Sequence, residues 1–255
     1  MHEFSEPFKL DKNNLWYIDA KDVELTRKTF GEVGKRPEYK SSFYLIDGID
    51  DYIIKDSTKY MKLFRKMKTL SMLKAFMKIE DNLPNVDFPV GYFANCGKVD
   101  GTVIPYYKDS ISLRSFIWFS KFNELKKYYN KASDDIDNLI CLLLDMLNII
   151  SGLYDNKVMY LDIHPGNFLL YNNDVKLIDF EPNYIYLKQK TGFYYNRILH
   201  NYSIMVHTIC RRLEFKDVMY QSGESFMDAE NSVKYLRKCL ERKNGIWKSW
   251  VINWG

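Results

Sequence analysis

The sequence predicts an α+β fold in two parts, a small strand-rich first part and a mainly helical second part. Three observations predict it. Short β-rich runs surround one long amphipathic stretch before residue 108. Long apolar stretches dominate after it. No internal repeat or low-complexity linker interrupts the 255 residues. Strands with one helix, followed by a helical body, make a two-lobed arrangement, and a cleft between lobes is a natural place for a ligand. The expected division is 1–107 and 108–255.

Each element has its own signal. Residues 42–46 (SFYLI) and 52–55 (YIIK) read as strands, and Asp47-Gly48 with residues 49–51 between them is a hairpin signal. Residues 58–79 read as an amphipathic helix, because Leu63, Met67, Leu70 and Met77 fall at helical spacing. Asn82, Pro84 and Asn85 end it. Residues 88–92 and 102–106 read as strands around a turn over 95–101. A helix is expected over 112–119 and a longer one over 134–154. Ser133 can cap the longer helix, and Asp134 and Asp135 suit the positive end of its dipole. Apolar residues cover most of its circumference, which predicts deep burial. Short apolar runs follow at 158–161, 168–171 and 175–178, and further helices are expected over 197–213 and 232–241. Trp247, Trp250 and Trp254 recur near helical spacing and are expected to pack onto the second part.

Composition bounds the function classes. The chain is 46% hydrophobic and 27% charged, ample for a packed core and unlike a disordered chain. A net charge of +4 is mild and by itself implies neither a nucleic-acid nor a membrane partner. Cys96, Cys141, Cys210 and Cys239 form no CxxC pair, which argues against a zinc knuckle or redox motif and predicts free buried thiols in a reducing compartment. The first residues lack the basic start and apolar stretch of a signal peptide. The most apolar run, 139–150, is broken by Asp145 and Asn148 and falls short of the roughly 20 residues a membrane span needs. The expectation is a cytoplasmic protein.

The chemistry concentrates in residues 160–181, YLDIHPGNFLLYNNDVKLIDFE. Asp162 follows an apolar run, and Asn167 comes five residues later, with Pro165 and Gly166 forcing a loop between them. A hairpin-like stretch with its turn at 172–174 then delivers Asp179 at the end of an apolar strand. Two carboxylates and one amide so placed are oxygen ligands of the kind that suits Mg²⁺ or Mn²⁺. Asn167 and Asp179 are the candidate metal ligands. Asp162 is free to orient an acceptor hydroxyl and accept its proton.

This spacing resembles the kinase catalytic loop, in which an Asp precedes an Asn by five residues and a metal-binding Asp-Phe-Gly follows. The variant DIHPGN…LIDFE looks closest to atypical members of the protein-kinase-like superfamily, such as aminoglycoside phosphotransferases, choline kinases and ubiquinone-biosynthesis kinase-like proteins. The resemblance implies ATP as cofactor, Asp162 as catalytic base, Asn167 and Asp179 as metal holders, and Phe180 as a packing aromatic. It implies that Lys55, ending a strand before a helix, holds the nucleotide phosphates. It also implies that the backbone of Pro105, Tyr106 and Tyr107 forms the hinge that bonds the adenine. Asn201 stands near the place of a carboxylate that braces the catalytic loop in kinases.

Four features depart from the kinase pattern. Tyr160-Leu161 replaces the His-Arg that usually precedes the catalytic Asp, which suggests no phosphorylation switch. Gly31 and Gly34, in FGEVGK, are the best candidates for a phosphate-covering loop but are not spaced GxGxxG. Residues 57–79 contain no acid to pair with Lys55, so Glu80 or Asp81 substitutes or the lysine is held otherwise. Glu181 follows Phe180 where Gly is usual. His164 is expected to pack or hydrogen-bond within its loop.

The leading expectation is an ATP-dependent phosphotransferase acting on a hydroxyl acceptor, with a serine/threonine protein substrate favoured slightly over a small molecule. The alternative is a pseudokinase that binds nucleotide or a partner, and a third reading is AMP transfer. The helix at 58–79 carries Lys59, Lys62, Arg65, Lys66, Lys68, Lys74 and Lys78. It reads either as a solvated face or as a docking surface for an acidic partner.

Overall fold

The computed structural model describes residues 4–28, 42–56, 62–120, 122–133, 135–160, 162–180, 185–186, 198–202, 204–206, 209, 219–222 and 251–254. Helices and strands are mixed, and the chain divides into two compact units. The first comprises Met1–Lys108 with Asp179–Asn183, and the second Asp109–Ile178 with Tyr184–Gly255.

The first unit is built on a seven-stranded sheet. Its strands are β1 (Lys9–Leu10), β2 (Trp16–Asp19), β3 (Leu25–Lys28), β4 (Ser42–Ile46), β5 (Ile49–Asp56), β6 (Gly91–Asn95) and β7 (Lys98–Pro105), in the order β1-β2-β6-β7-β5-β4-β3. The β4–β5 hairpin is tighter than the sequence suggested. Ile46 pairs with Ile49, so Asp47-Gly48 alone makes the turn, and Gly48 takes a φ of +75° that a side chain would resist. Strand β5 therefore begins at Ile49, three residues before the expected start. The β6–β7 hairpin is likewise a two-residue turn, with Cys96 and Gly97 both at positive φ. This shifts the expected strand 88–92 to Gly91–Asn95 and leaves Phe88 outside the sheet as a buried packing residue. Cys96 is consequently exposed rather than a buried thiol.

Three strands of this unit were not foreseen. β1, β2 and β3 are short, and β2 pairs in parallel with β6 across more than seventy residues of chain, Tyr17 opposite Tyr92. One core cluster of the unit contains Phe8, Ile18, Ile46, Ile54, Phe93 and Val103. Helix α1 (Lys62–Phe76) packs against β6 and β7, burying Met72, Leu73 and Phe76.

The second unit centres on a long helix. After β8 (Ile111–Ser112), α2 (Leu113–Phe119) is capped by Ser112, whose hydroxyl accepts from the Ser115 N–H at 3.1 Å. Helix α3 (Asp135–Asp155) follows. Its segment Asp137–Asp155 is long and apolar enough, by length and composition, to cross a membrane. By sequence the apolar run 139–150, broken by Asp145 and Asn148, falls short of a span, but the helix extends beyond that run at both ends. In the fold, Leu139, Leu142, Leu143, Met146, Leu147, Ile150 and Leu153 are all buried in the unit's own core.

Strand β9 (Val158–Met159) leads into the loop at 160–167. The hairpin of β10 (Phe168–Tyr171) and β11 (Asp174–Leu177) follows, turning at Asn172 and Asn173, both at positive φ. β10 also pairs with β8, and β12 (Ile185–Tyr186) pairs with β9. Residues 198–202, 204–206 and 209 are helical, within the helix expected over 197–213. Two short strands, β13 (Met219–Ser222) and β14 (Val251–Trp254), pair in parallel. Trp254 thus lies in a strand, where helical spacing had been read. Trp247, Trp250 and the expected helix 232–241 lie outside the described residues.

Candidate functional site

The first unit brings together Lys55 and Asp179. Lys55 stands on β5 between Phe43 of β4 and Thr102 of β7, and only 7% of it is exposed. A buried ammonium needs a partner, since desolvating a lone charge is costly. Lys55 Nζ donates to Asp179 Oδ1 in an ion pair, and a third of the Asp179 side chain remains exposed. Asp179 therefore supplies the carboxylate that the acid-free stretch 57–79 lacks.

The backbone at Asp179 has φ +71°, a left-handed conformation uncommon for a residue with a side chain but tolerated by Asp and Asn. Phe180 then turns into an aromatic cluster. Its ring centroid lies 4.8 Å from Phe88 and 5.7 Å from Phe76 of α1, and Phe76 and Phe88 stack at 4.3 Å. The left-handed residue sends two neighbouring side chains to different work, Asp179 to Lys55 and Phe180 to apolar packing.

The strand end at 105–107 is pinned twice. The Tyr106 N–H donates to Asp51 O at 2.8 Å, and the Tyr107 hydroxyl donates to Asp87 Oδ1 at 2.8 Å. Pro105 has no N–H, and the Tyr106 N–H is committed to the sheet edge. Gly31 and Gly34 lie in the connection between β3 and β4, outside the described residues.

The second unit brings together Tyr160, Asp162, His164 and Asn167. Pro165–Asn167 forms one turn of 3-10 helix, capped by His164, whose Nδ1 accepts from the Gly166 N–H at 3.0 Å. That bond places the hydrogen of a neutral imidazole on Nε2, which stands 3.5 Å from Asp162 Oδ2. His164 acts within its loop, as its place in the sequence suggested. Asp162 has about half its side chain exposed, whereas Asn167 is only 5% exposed.

The Asn167 amide nitrogen meets three acceptors. They are the Tyr160 hydroxyl at 2.6 Å, Asp162 O at 3.0 Å and Asp162 Oδ2 at 3.1 Å. Among the described residues nothing donates to its Oδ1. An amide oxygen left open in this way, with carboxylates nearby in sequence, is a hard donor of the type Mg²⁺ and Mn²⁺ prefer. Among the described residues no three His, Cys, Asp or Glu side chains gather as a metal cage. A metal at this place would have to rely on single oxygen donors.

The sequence reading passed over Tyr160 as a mere departure from a motif. The signal was present, a phenol in the otherwise apolar run 158–161. Asn201 lies in the helical segment whose Tyr202 hydroxyl donates to Leu143 O at 2.7 Å.

The chain is 32% identical over 108 residues to a protein of Acanthamoeba polyphaga mimivirus named "Putative serine/threonine-protein kinase R436". The match covers 41% of this chain and 32% of that protein, so the chain spans about a third of the relative's length. No protein-family model matches the chain. This partial likeness supports a kinase-like relationship and nothing finer.

Proposed function

We infer that the chain is an ATP-dependent phosphotransferase of the protein-kinase-like type, two-lobed, transferring the γ-phosphate to a hydroxyl acceptor. The observation that carries the reading is the Lys55–Asp179 ion pair. Protein kinases carry their phosphate-binding lysine on the third strand of a sheet whose first two strands bear the phosphate-covering loop. Counted from β3, Lys55 stands on the third strand, and its partner is the Asp of the IDFE segment.

In this reading Lys55 orients the α- and β-phosphates, and Asp179 and Asn167 hold the metal. Asp162 orients the acceptor hydroxyl and takes its proton. Bound Mg²⁺ or Mn²⁺ neutralises charge on the phosphates, and positioning supplies most of the remaining acceleration. The backbone of Pro105, Tyr106 and Tyr107 is the hinge that serves the adenine. The acceptor is a protein serine or threonine, in keeping with the name of the partial relative. The basic helix α1 is the surface on which an acidic segment of that acceptor docks.

Purified protein with Mn²⁺ and γ-labelled ATP is expected to label itself or a generic acceptor protein. Asp162→Asn should slow transfer on the order of 10²–10⁴-fold, and Asp179→Ala should abolish it. Label from α-labelled ATP alone would replace this reading with AMP transfer. A second reading, a pseudokinase, is favoured by one observation: the carboxylate proposed for metal is engaged by Lys55. Nucleotide that raises the melting temperature without any transfer would select it.

A further inference from the structure

We propose that Tyr160 is a positioning residue whose hydroxyl fixes the orientation of the Asn167 amide and ties the catalytic loop to the peptide entering Asp179. The inference deepens the phosphotransferase reading and rests on it for its link to metal.

Tyr160 is fully buried, and a buried phenol needs a hydrogen-bond partner for its hydroxyl. It has two. The hydroxyl donates its single hydrogen to Ile178 O at 3.0 Å. Toward Asn167 its oxygen can therefore only accept, and the atom it meets at 2.6 Å is Nδ2. This is the shortest of the three contacts that Nδ2 makes. A flipped amide would set Oδ1 against the Tyr160 oxygen, Asp162 O and a carboxylate oxygen, all acceptors. The flip with Oδ1 outward is the one that presents an oxygen to a cation.

The same hydroxyl closes a ring of bonds. The Ile178 N–H donates to Asn167 O at 2.9 Å, while Ile178 O accepts from Tyr160. Both backbone groups of Ile178 are thus held by residues 160 and 167, immediately before the left-handed turn at Asp179. A Phe at 160 would fill the same space and leave both bonds unmade. The phenol is the smallest change that couples the loop's amide to this peptide.

The test uses Tyr160→Phe in the full chain, with two readouts. The first is hydrogen exchange of the Asn167 side-chain amide, followed by NMR in metal-free protein. Exchange is expected to quicken about tenfold, corresponding to about 1.4 kcal/mol. Unchanged exchange overturns the proposal. The second is Mn²⁺ affinity, read by electron paramagnetic resonance with a non-hydrolysable ATP analogue. Tyr160→Phe is expected to weaken Mn²⁺ about tenfold while changing metal-free nucleotide affinity less than twofold. Asn167→Ala sets the scale. If Asn167→Ala weakens Mn²⁺ and Tyr160→Phe does not, the proposal fails and the phosphotransferase reading stands. If wild type itself binds no Mn²⁺, that reading falls, and the exchange measurement still decides the tether. Should Tyr160→Phe not fold, the wild-type Tyr160 hydroxyl proton decides. It is expected to show cross-relaxation to the Asn167 amide protons, and its lack of such contact overturns the proposal.

Discussion

Lys55 and Asp179 form an ion pair across 124 residues of chain, joining the middle of a sheet to the segment after the β10–β11 hairpin. The lysine is nearly enclosed, so removing its partner leaves a desolvated charge, the costlier half of any buried pair. The partial exposure of Asp179 moderates that cost. Lys55→Met and Asp179→Asn are each expected to destabilise the protein. The double variant should lose less than their sum, by about 1–3 kcal/mol. Asn at 179 retains a residue that tolerates positive φ, so the cycle isolates charge from backbone strain. Urea denaturation of the four proteins measures it, and strict additivity would deny the coupling.

Gly101 of β7 sits opposite Asp56 of β5, beside the Lys55–Thr102 pair. A Cβ there would stand 2.6 Å from Lys55 O, inside any real contact and against backbone. Gly101→Ala should displace β5 at Lys55 and cost about 1–3 kcal/mol, as overpacking does. Nucleotide binding should weaken with it. Gly97→Ala, which has open space at its Cβ but a φ of +72°, should cost stability alone.

Asn138 is fully buried at the start of α3. Its Oδ1 accepts from the Lys131 and Ala132 N–H groups at 2.8 and 3.3 Å, and its Nδ2 donates to Tyr129 O at 2.6 Å. The loop before the helix closes on this one amide. Asn138→Ala is expected to lose about 2–3 kcal/mol, since two N–H groups and a carbonyl lose their partner. Asn138→Asp should also destabilise, because a carboxylate would then face the Tyr129 carbonyl. A urea midpoint within error of wild type for both variants would refute this.

Asp11 and Tyr92 predict opposite pH effects. Burial pushes the Asp11 carboxyl upward, but hydrogen bonds from the Leu15 and Asn13 N–H groups and from Tyr92 outweigh it and hold it below the usual carboxylate range. A depressed folded pKa stabilises above the unfolded value, about 3.9, and the benefit is lost as pH falls through the folded pKa. Asp11→Asn should thus lower the melting temperature at neutral pH, with the gap closing in acid. The Tyr92 phenol is pushed up to about 12, by burial first and then by the Asp11 charge. Its contribution holds below about pH 10 and fades as pH rises through the folded value. Burial also pushes the Tyr52 and Tyr129 phenols up, so absorbance titration should show several late phenols, one of which Tyr92→Phe removes.

The strands that sequence located best were those made locally. Residues 168–171 form β10 as expected, because an apolar run beside two Asn residues carries its own turn chemistry. β1, β2 and β3 went unread because two to four residues of mixed polarity have no period of their own. Their pairing with distant strands makes them sheet. The β6–β7 turn was placed too broadly, since Cys96 at positive φ is not a residue whose type announces a turn.

From the chain order alone came the α+β class and the segment that carries Asp162, Asn167 and Asp179, since spacing between apolar runs and turn formers is a local property; Lys55 was singled out by the resemblance to kinases. The fold decided which carboxylate answers Lys55, which way the Asn167 amide faces and what the Tyr160 hydroxyl holds. These are contacts between side chains and backbone groups far apart in sequence or on opposite sides of a turn. Burial sets them, by demanding a partner for every enclosed charge and polar hydrogen.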